Sequence, residues 1–445
     1  MSTDPGLLDD LVARGLVHDT TDRAALAARL RDGPVTVYYG VDPTATSLHV
    51  GNLIGLLVLR RFQEAGHRPL PLAGGATGMI GDPSGKSDER NLLDDDALAA
   101  NLAGIVPLLK QFVDFEGVPN AAKLLDNRAW TVSTSLLDFL RDIGKHMTIN
   151  QMAAKESVRA RMEGEDGISY TEFSYMLLQA NDYLWLHENE RCDLQIGGSD
   201  QWGNISLGID LIRRKVGAKV HGLTWPLLLK RDGTKYGKTA GGETIWLSAE
   251  HLSPYRFYQA WLQSEDAEIR KLLLQLTFLD LDEIDEVVAD HEAATHRRIG
   301  QQRLAAELTT TVHGRAATEM AQAASAVIFG GSSGDIDELT FDMLRGEIPT
   351  SAHERSQLDH DDNLVPLLVT AGVASSRSEA GRLLAQNGIS INDEKVGGAK
   401  AIDRTALLHD RYCVVRKGKR SVFLLDFADD HATSPPRPGN KTHDS

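Results

Sequence analysis

The chain has 445 residues, which at about 150 residues per domain is room for roughly three domains and a large buried core. Its residues are 42% hydrophobic and 25% charged, which excludes collagen-like, coiled-coil and wholly disordered classes. With 47 basic against 63 acidic side chains the formal charge is −16, so a polyanion is repelled unless basic groups are concentrated locally.

In chain order, residues 1–34 read as a helical segment without a basic and apolar leader, and no apolar run approaches the roughly 20 residues that cross a bilayer. A cytoplasmic protein without membrane contact is expected. Val35 to Val41 (VTVYYGV) is a predicted strand that ends at Asp42 and Pro43, and a helix follows from Leu48 to Ala65. His67 to Leu72 is a second strand running into the glycine-rich turn GGATGMIGDPSGK, with a helix from Asp94 to Phe112. Next come a strand at Lys123 to Asn127, a polar helical insertion at Ser133 to Gly164, and a helix at Thr171 to Glu190. A further unit has strand Cys192 to Ile196, turn GGSDQWGN and helix Ile205 to Val216; HGLTWPLLL and KYGKT follow.

Strands alternating with helices imply an α/β, doubly wound parallel sheet over residues 35–250, with its ligand at the carboxyl ends of the strands. From 251 to 329 helix formers with apolar spacing of three and four predict a separate α-helical domain. Residues 330–363 combine a Gly/Ser run with an acidic, His-containing stretch and are expected to be a linker. Leu364 to Leu425 holds ten Lys and Arg against five Asp and Glu, a local reversal of the global sign, and residues 364–428 are read as a small α+β domain. The polar, proline-bearing residues 429–445 are expected to be a disordered tail. Cys192 and Cys413 are too far apart in sequence to form a zinc-ligand cluster, and two cysteines make no disulfide framework, so no protein-bound metal is expected.

Two segments are suited to phosphate, although taken singly each also reads as ordinary structure, the first as a helix cap with a surface histidine and the second as a solvated charge run. PTATSLHVGN places His49, Gly51 and Asn52 at the first turn of a helix that follows a strand, where free N–H groups and the positive helix end attract phosphate. Thr44 and His49 can add side-chain donors. KYGKT displays Lys235 and Lys238 after a predicted turn, cations suited to stabilising the charge of a departing pyrophosphate. On the helix that begins near Thr171, Tyr175, Gln179 and Asp182 are spaced i, i+4, i+7 and project from one face. That face either meets solvent or holds a polar ligand.

His-x-Gly-Asn together with Lys-Tyr-Gly-Lys-Thr resembles the two signatures of class I aminoacyl-tRNA synthetases. With YYGVDPTATSLHVGN, GGATGMIGDPSGKSDER, TEFSYMLLQANDY and IGGSDQWGN in family order, the chain from about Val35 to Leu425 is similar to bacterial tyrosyl-tRNA synthetases. The resemblance implies a Rossmann-like catalytic domain whose insertion at about 133–164 forms a homodimer, an anticodon-side helical domain, and a C-terminal RNA-binding domain. It implies that L-tyrosine is activated with Mg²⁺-bound ATP and transferred to tRNA(Tyr).

By the same resemblance Tyr175 and Gln179, with Asp82, would hold the substrate's α-amino group, while Tyr38 and Asp182 would meet its phenolic hydroxyl. Gln201 would donate towards the carboxyl group. Gly198 would allow close backbone approach and Asp200 would accept from the ribose; Gly40, Asp42, Gly51, Asn52 and Thr239 complete the expected ATP contacts. Thr44, His49, Lys86, Arg90, Lys235 and Lys238 would stabilise phosphate charge in the transition state. Towards tRNA the expected contacts are Arg377 and Arg382 on the first helices of the terminal domain and Arg416, Lys417, Lys419 and Arg420 in a basic turn. Arg213 and Arg214 could pair with their own helix end or touch the acceptor stem.

Two positions depart from the family pattern: Asn52 stands where many class I synthetases have a second histidine, and Tyr39 where a small residue is common. A tryptophanyl-tRNA synthetase and a catalytically idle RNA-binding protein on a synthetase scaffold are the alternatives. The Tyr38 and Asp182 pair and the basic terminal domain favour tyrosine, and the intact phosphate residues oppose idleness.

Overall fold

The computed structural model describes residues 6–84, 93–164, 167–231, 233–234, 236–239, 242–418 and 421–428, without the side chains of Ser157 and Ala428. Its chain divides into two compact units, residues 1–253 with 260–308, and residues 254–259 with 309–445.

The first unit opens with α1 (Leu7–Ala13) and α2 (Arg23–Arg31). Five parallel strands follow: β1 (Thr36–Val41), β2 (Arg68–Ala73), β3 (Leu125–Asp126), β4 (Cys192–Gly198) and β5 (His221–Trp225), ordered β3-β2-β1-β4-β5. This is the doubly wound sheet that the alternating pattern predicts. β1 lies in the middle, so its neighbours wind outward in opposite directions, and the crevice beyond β1 and β4 is the switch point where such sheets bind ligands. The β3 pairing is shorter than the expected strand at Lys123 to Asn127.

Helix α3 (Val50–Glu64) packs on β1 and β2, and α4 (Asp95–Gln111) on β2. A nearly all-apolar stretch of α3 from Leu53 to Leu59 is buried. After α5 (Arg128–Thr131), the insertion contributes the short helices α6 (Leu136–Asp142), α7 (Ile149–Ala153) and α8 (Glu156–Met162) before α9 (Tyr170–Glu190) and α10 (Trp202–Val216). Tyr38, Leu70 and Leu72 of the sheet meet Met176, Tyr183, Leu207 and Leu211 of α9 and α10 in one core. α4 also braces the loop after β1: Asn101 donates to the Pro43 carbonyl at 2.8 Å, and a Cβ on Gly104 would stand 1.9 Å from the Thr46 carbonyl oxygen. Only glycine lets this helix press so closely on that loop.

Beyond α11 (Pro254–Leu262), helices α12 (Ile269–Leu276) and α13 (Leu281–Ala293) and most of α14 (Ile299–His313) belong to the first unit. Arg61 of α3 donates to the Thr277 carbonyl, and Gln275 donates to the Gly15 carbonyl at 3.1 Å. A separate helical domain over 251–329 is therefore not what forms. Its first helices complete the catalytic unit, while α15 (Arg315–Ile328) serves the second core.

That second unit also corrects the linker reading of 330–363, because α16 (Glu338–Glu347) and strand β6 (Thr350–Glu354) lie there. With α17 (Leu364–Thr370), α18 (Arg377–Ala385), β7 (Ile389–Ile391), β8 (Glu394–Lys395), β9 (Tyr412–Lys417) and β10 (Ser421–Ala428) they make a five-stranded sheet ordered β6-β10-β9-β7-β8. Along β9 the side chains alternate: Tyr412 and Val414 pack with Phe341 and Leu344 of α16 and Val327 of α15, and Cys413 and Val415 with Leu367 and Leu384 of α17 and α18. Both cysteines are buried and free. Residues 429–445 lie outside the described residues. Among those described, no helix is long and apolar enough to cross a membrane.

Candidate active site

A cavity of about 800 Å³ opens at the carboxyl ends of β1 and β4. It is lined by all of Tyr38, Asp82, Tyr175, Gln179, Asp182 and Gln201, the expected amino-acid residues, and by Gly40, Asp42, Thr44, His49, Gly51 and Asn52 on the expected ATP side. Gly198, Asp200 and Lys238 join them. The polar face of α9 thus turns inward, not to solvent. Thr239 is engaged otherwise: its N–H donates to the Glu243 carbonyl at 2.7 Å, and its hydroxyl accepts from the Glu243 N–H at 3.2 Å. Lys86, Arg90 and Lys235 fall outside the described residues.

At the closed end, Tyr38 is 1% exposed and its hydroxyl has no hydrogen-bond partner among the described residues. Burial, and then the nearby Asp182, push its pKa well above the usual phenol value, so it remains an O–H donor. Asp182 is held from behind by two donors, Asn127 Nδ2 at 2.9 Å and Trp130 Nε1 at 2.8 Å. Burial pushes its carboxyl up to about 7, although both donors favour the charged form. Trp130 is fixed by stacking on Trp185, with ring centroids 4.1 Å apart. Asn127 also donates to Thr77 Oγ1 at 2.9 Å and accepts from the Ala76 N–H at 2.7 Å. Neither Asn127 nor Trp130 stands out in sequence, since they fall at the margin between a predicted strand and the insertion, and their partner is over 50 residues away.

The middle of the cavity is acidic. Tyr175 donates to Asp42 Oδ2 at 2.8 Å, and Thr77 donates to Asp42 Oδ1 at 2.7 Å. Asp42 thereby gains a role the sequence left open: it seats Tyr175. Burial first, then the charges of Asp42, Asp82 and Asp182, raise the Tyr175 pKa, and the same three carboxylates attract an ammonium group. Asp82 accepts from Gln201 Nε2 at 2.6 Å. Asn204, 2% exposed, donates to Gln179 Oε1 at 3.0 Å and Gln201 Oε1 at 3.2 Å. It ties these side chains into one network and is another residue the sequence did not single out.

At the open end His49 is the N-cap of α3: its Nδ1 accepts from the Gly51 N–H at 2.9 Å, while Asn52 Oδ1 accepts from the His49 N–H at 3.2 Å. The Val50 N–H donates to the Ile245 carbonyl at 2.9 Å, and the Leu247 N–H to the Leu48 carbonyl at 2.8 Å. Thr244 in turn bridges to Lys238. The two segments, distant in sequence, are therefore joined by backbone pairing, and the exposed Lys238 lines the same cavity as the N-terminus of α3.

Outside the cavity, Arg213 pairs with Asp210 at 3.2 Å, and Arg214 bonds the His146 carbonyl and, at 2.8 Å, Gln151 Oε1. In the second unit Arg377 and Arg382 are exposed on α18. Arg416 and Lys417 are not free cations: Arg416 pairs with Asp393 at 3.2 Å and donates to the Gly331 carbonyl, and Lys417 pairs with Glu379 at 2.9 Å. They brace the domain. Lys419 and Arg420 lie outside the described residues.

The raised Asp182 pKa makes stability pH-dependent. The folded chain keeps a proton that the unfolded chain releases, so this contribution is complete below about pH 4 and is lost as pH rises towards about 7. Asp182→Asn removes that loss. In urea unfolding of ligand-free protein, the stability of the variant relative to the parent should rise between pH 5 and 7.5, by at most about 1.4 kcal/mol per pH unit; a pH-independent difference contradicts the burial of an ionisable group here.

Residues 30–330 match the family described as tRNA synthetases class I (W and Y), and residues 341–425 match the tyrosine–tRNA ligase SYY-like C-terminal domain. A tyrosine–tRNA ligase of Opitutus terrae is 53% identical over 421 residues, covering 94% of this chain and 99% of that protein. One from Mycobacterium tuberculosis is 46% identical over 418 residues, covering 94% and 97%. Among solved structures, a C-terminally truncated mitochondrial tyrosyl-tRNA synthetase of Aspergillus nidulans superposes with a TM-score of 0.67 at 30% identity, over 74% of this chain and 95% of that one. With its switch-point cavity and these likenesses, the chain belongs to the class I tRNA synthetases of the tryptophan and tyrosine group.

Proposed function

We infer that the chain is a tyrosine–tRNA ligase, which activates L-tyrosine with ATP to tyrosyl-adenylate and pyrophosphate and passes the tyrosyl group to the 3′-terminal adenosine of tRNA(Tyr). The observation that carries this reading is the buried, unpartnered Tyr38 hydroxyl beside the buried Asp182 carboxyl. Tyr38 has a proton to give and Asp182 has lone pairs to fill. A phenol answers both, accepting from Tyr38 and donating to Asp182. Phenylalanine answers neither, leaving each group desolvated and unpaired at about 1 to 3 kcal/mol apiece. The tryptophan indole is a donor only, so Tyr38 would stay unsatisfied.

The remaining roles follow the charge pattern. The acidic wall of Asp42 and Asp82, with Tyr175 and Gln179, receives the α-ammonium group, and Gln201 faces the carboxylate. That carboxylate attacks the α-phosphorus of ATP, supplied as its Mg²⁺ complex; an O–P bond forms as the bond to pyrophosphate breaks in line. No side-chain nucleophile takes part. Thr44, His49 and Lys238, with Lys86, Arg90 and Lys235, stabilise the phosphate charge of the transition state, and Gly198 and Asp200 border the ribose. The adenylate then acylates the tRNA hydroxyl and releases AMP.

For assembly, the insertion exposes Leu136, Leu137, Ile149 and Met162 at 53 to 77%. So large an apolar patch supports a homodimer built on this segment. We place the enzyme in the cytoplasm, with no membrane partner, and assign tRNA contacts to Arg377 and Arg382.

Two measurements check the reading. In pyrophosphate exchange with each amino acid, only tyrosine should support the reaction, and Asp182→Ala should cut its kcat/KM by about 100-fold; exchange driven by tryptophan, or by none, overturns it. Arg377→Ala with Arg382→Ala should lower tRNA charging and leave exchange unchanged, whereas equal charging would remove α18 from the tRNA interface.

A further inference from the structure

Tyr236 stands two residues before Lys238, and of residues 236–239 it alone sends a buried side chain inward, 7% exposed beside an exposed lysine. Its ring lies parallel to that of Trp261 in α11, with centroids 5.7 Å apart and planes at 8°. Its hydroxyl donates to Ser264 Oγ at 3.1 Å, in the turn between α11 and α12. Lys230 Nζ stands 5.6 Å from the ring centroid, within reach of a cation–π interaction. Burial pushes the phenol up to about 12, so the hydroxyl keeps its proton at neutral pH.

Ser264 is a fixed point. It is 4% exposed, its N–H donates to the Trp261 carbonyl at 3.1 Å, and its carbonyl accepts from Nε2 of the fully buried Gln301 of α14 at 3.2 Å. The segment leading to Tyr236 docks on the same helices, since Lys271 donates to the Leu229 carbonyl at 3.1 Å and the Arg231 N–H to Glu268 Oε1 at 2.9 Å. From Tyr236 the contacts continue into the cavity. The Tyr236 N–H donates to the Leu228 carbonyl at 2.7 Å, the Ile245 N–H donates to the Gly237 carbonyl at 2.9 Å, and Lys238 bridges to Thr244. The Ile245 carbonyl in turn accepts the Val50 N–H at the first turn of α3. A continuous run of bonds therefore joins the buried Ser264 to Lys238 and to the N-terminus of α3.

We propose that Tyr236 is a positioning residue for Lys238: its hydroxyl, seated on Ser264, fixes the backbone from which the lysine reaches into the cavity. The proposal rests on the reading that Lys238 stabilises phosphate charge in the transition state. A flexible ammonium stabilises developing charge only as well as it is pre-organised, and here the buried turn between α11 and α12 supplies the fixed reference. A ring that merely filled space would tolerate loss of its hydroxyl. One that merely stabilised the fold would slow the reaction by the same factor with or without the lysine.

The test is single-turnover formation of tyrosyl-adenylate by the full-length enzyme, with the dissociation constant for tyrosine measured alongside. Tyr236→Phe keeps the ring and should slow the step about fivefold, as for one lost hydrogen bond, with tyrosine binding unchanged. Ser264→Ala should slow it to a similar degree, and the double variant no further. In a Lys238→Ala background, Tyr236→Phe should lose its effect on the rate. A parental rate in Tyr236→Phe, multiplicative losses with Ser264→Ala, an undiminished fivefold loss in the Lys238→Ala background, or an equal weakening of tyrosine binding would overturn the proposal. Lys238→Ala alone separates the two failures. If it leaves adenylate formation intact, the role given to the lysine is wrong; if it slows the step while Tyr236→Phe behaves as the parent, only the positioning role fails.

Discussion

A hydroxyl buried without a partner is the constraint on which the active site depends. Tyr38 is held on the central strand by Tyr183 at its back, and its O–H has no hydrogen-bond partner among the described residues. Such a group costs free energy until a ligand satisfies it. Asp182 is the complementary half, since Asn127 and Trp130 orient its oxygens without exhausting them. Recognition is thereby built into the folded state as a deficit that one side-chain chemistry removes.

The doubly wound sheet places that deficit beside a second, oppositely charged problem. Because β1 is central, its carboxyl end meets both the carboxylates of Asp42 and Asp82 beside Tyr175 of α9 and the N-terminus of α3, which is electropositive. An ammonium group and a triphosphate can then be bound within one cavity without sharing partners. Backbone pairing of 245–247 with 48–50, and of Thr244 with Lys238, brings Lys238 to the same cavity.

Much of this was legible in the sequence, and what was missed has physical causes. The βα units could be read because strand runs such as VTVYYGV differ in composition from the helices beside them. Strand β6 could not: it buries only His353 of its five residues and owes its place to backbone pairing with β10. Helix α16 holds its position through Phe341 and Leu344, too few apolar residues to mark a core by composition. Likewise, periodicity reveals that α12 and α15 are amphipathic but not which core each one serves. The i, i+4, i+7 spacing brought out Tyr175, Gln179 and Asp182, whereas Asn127 and Trp130 are defined by bonds to a residue over 50 positions away. Arg416 and Lys417 look like free cations until folding brings Asp393 and Glu379 to them.

The central claim is tested most directly by four dissociation constants from calorimetry: tyrosine and phenylalanine, each binding to the parent enzyme and to Tyr38→Phe. If the substrate phenol satisfies the Tyr38 hydroxyl, the two losses are coupled by about 1 kcal/mol or more, and phenylalanine binds the variant better than it binds the parent. Strictly additive losses, with phenylalanine indifferent to the substitution, would contradict the account.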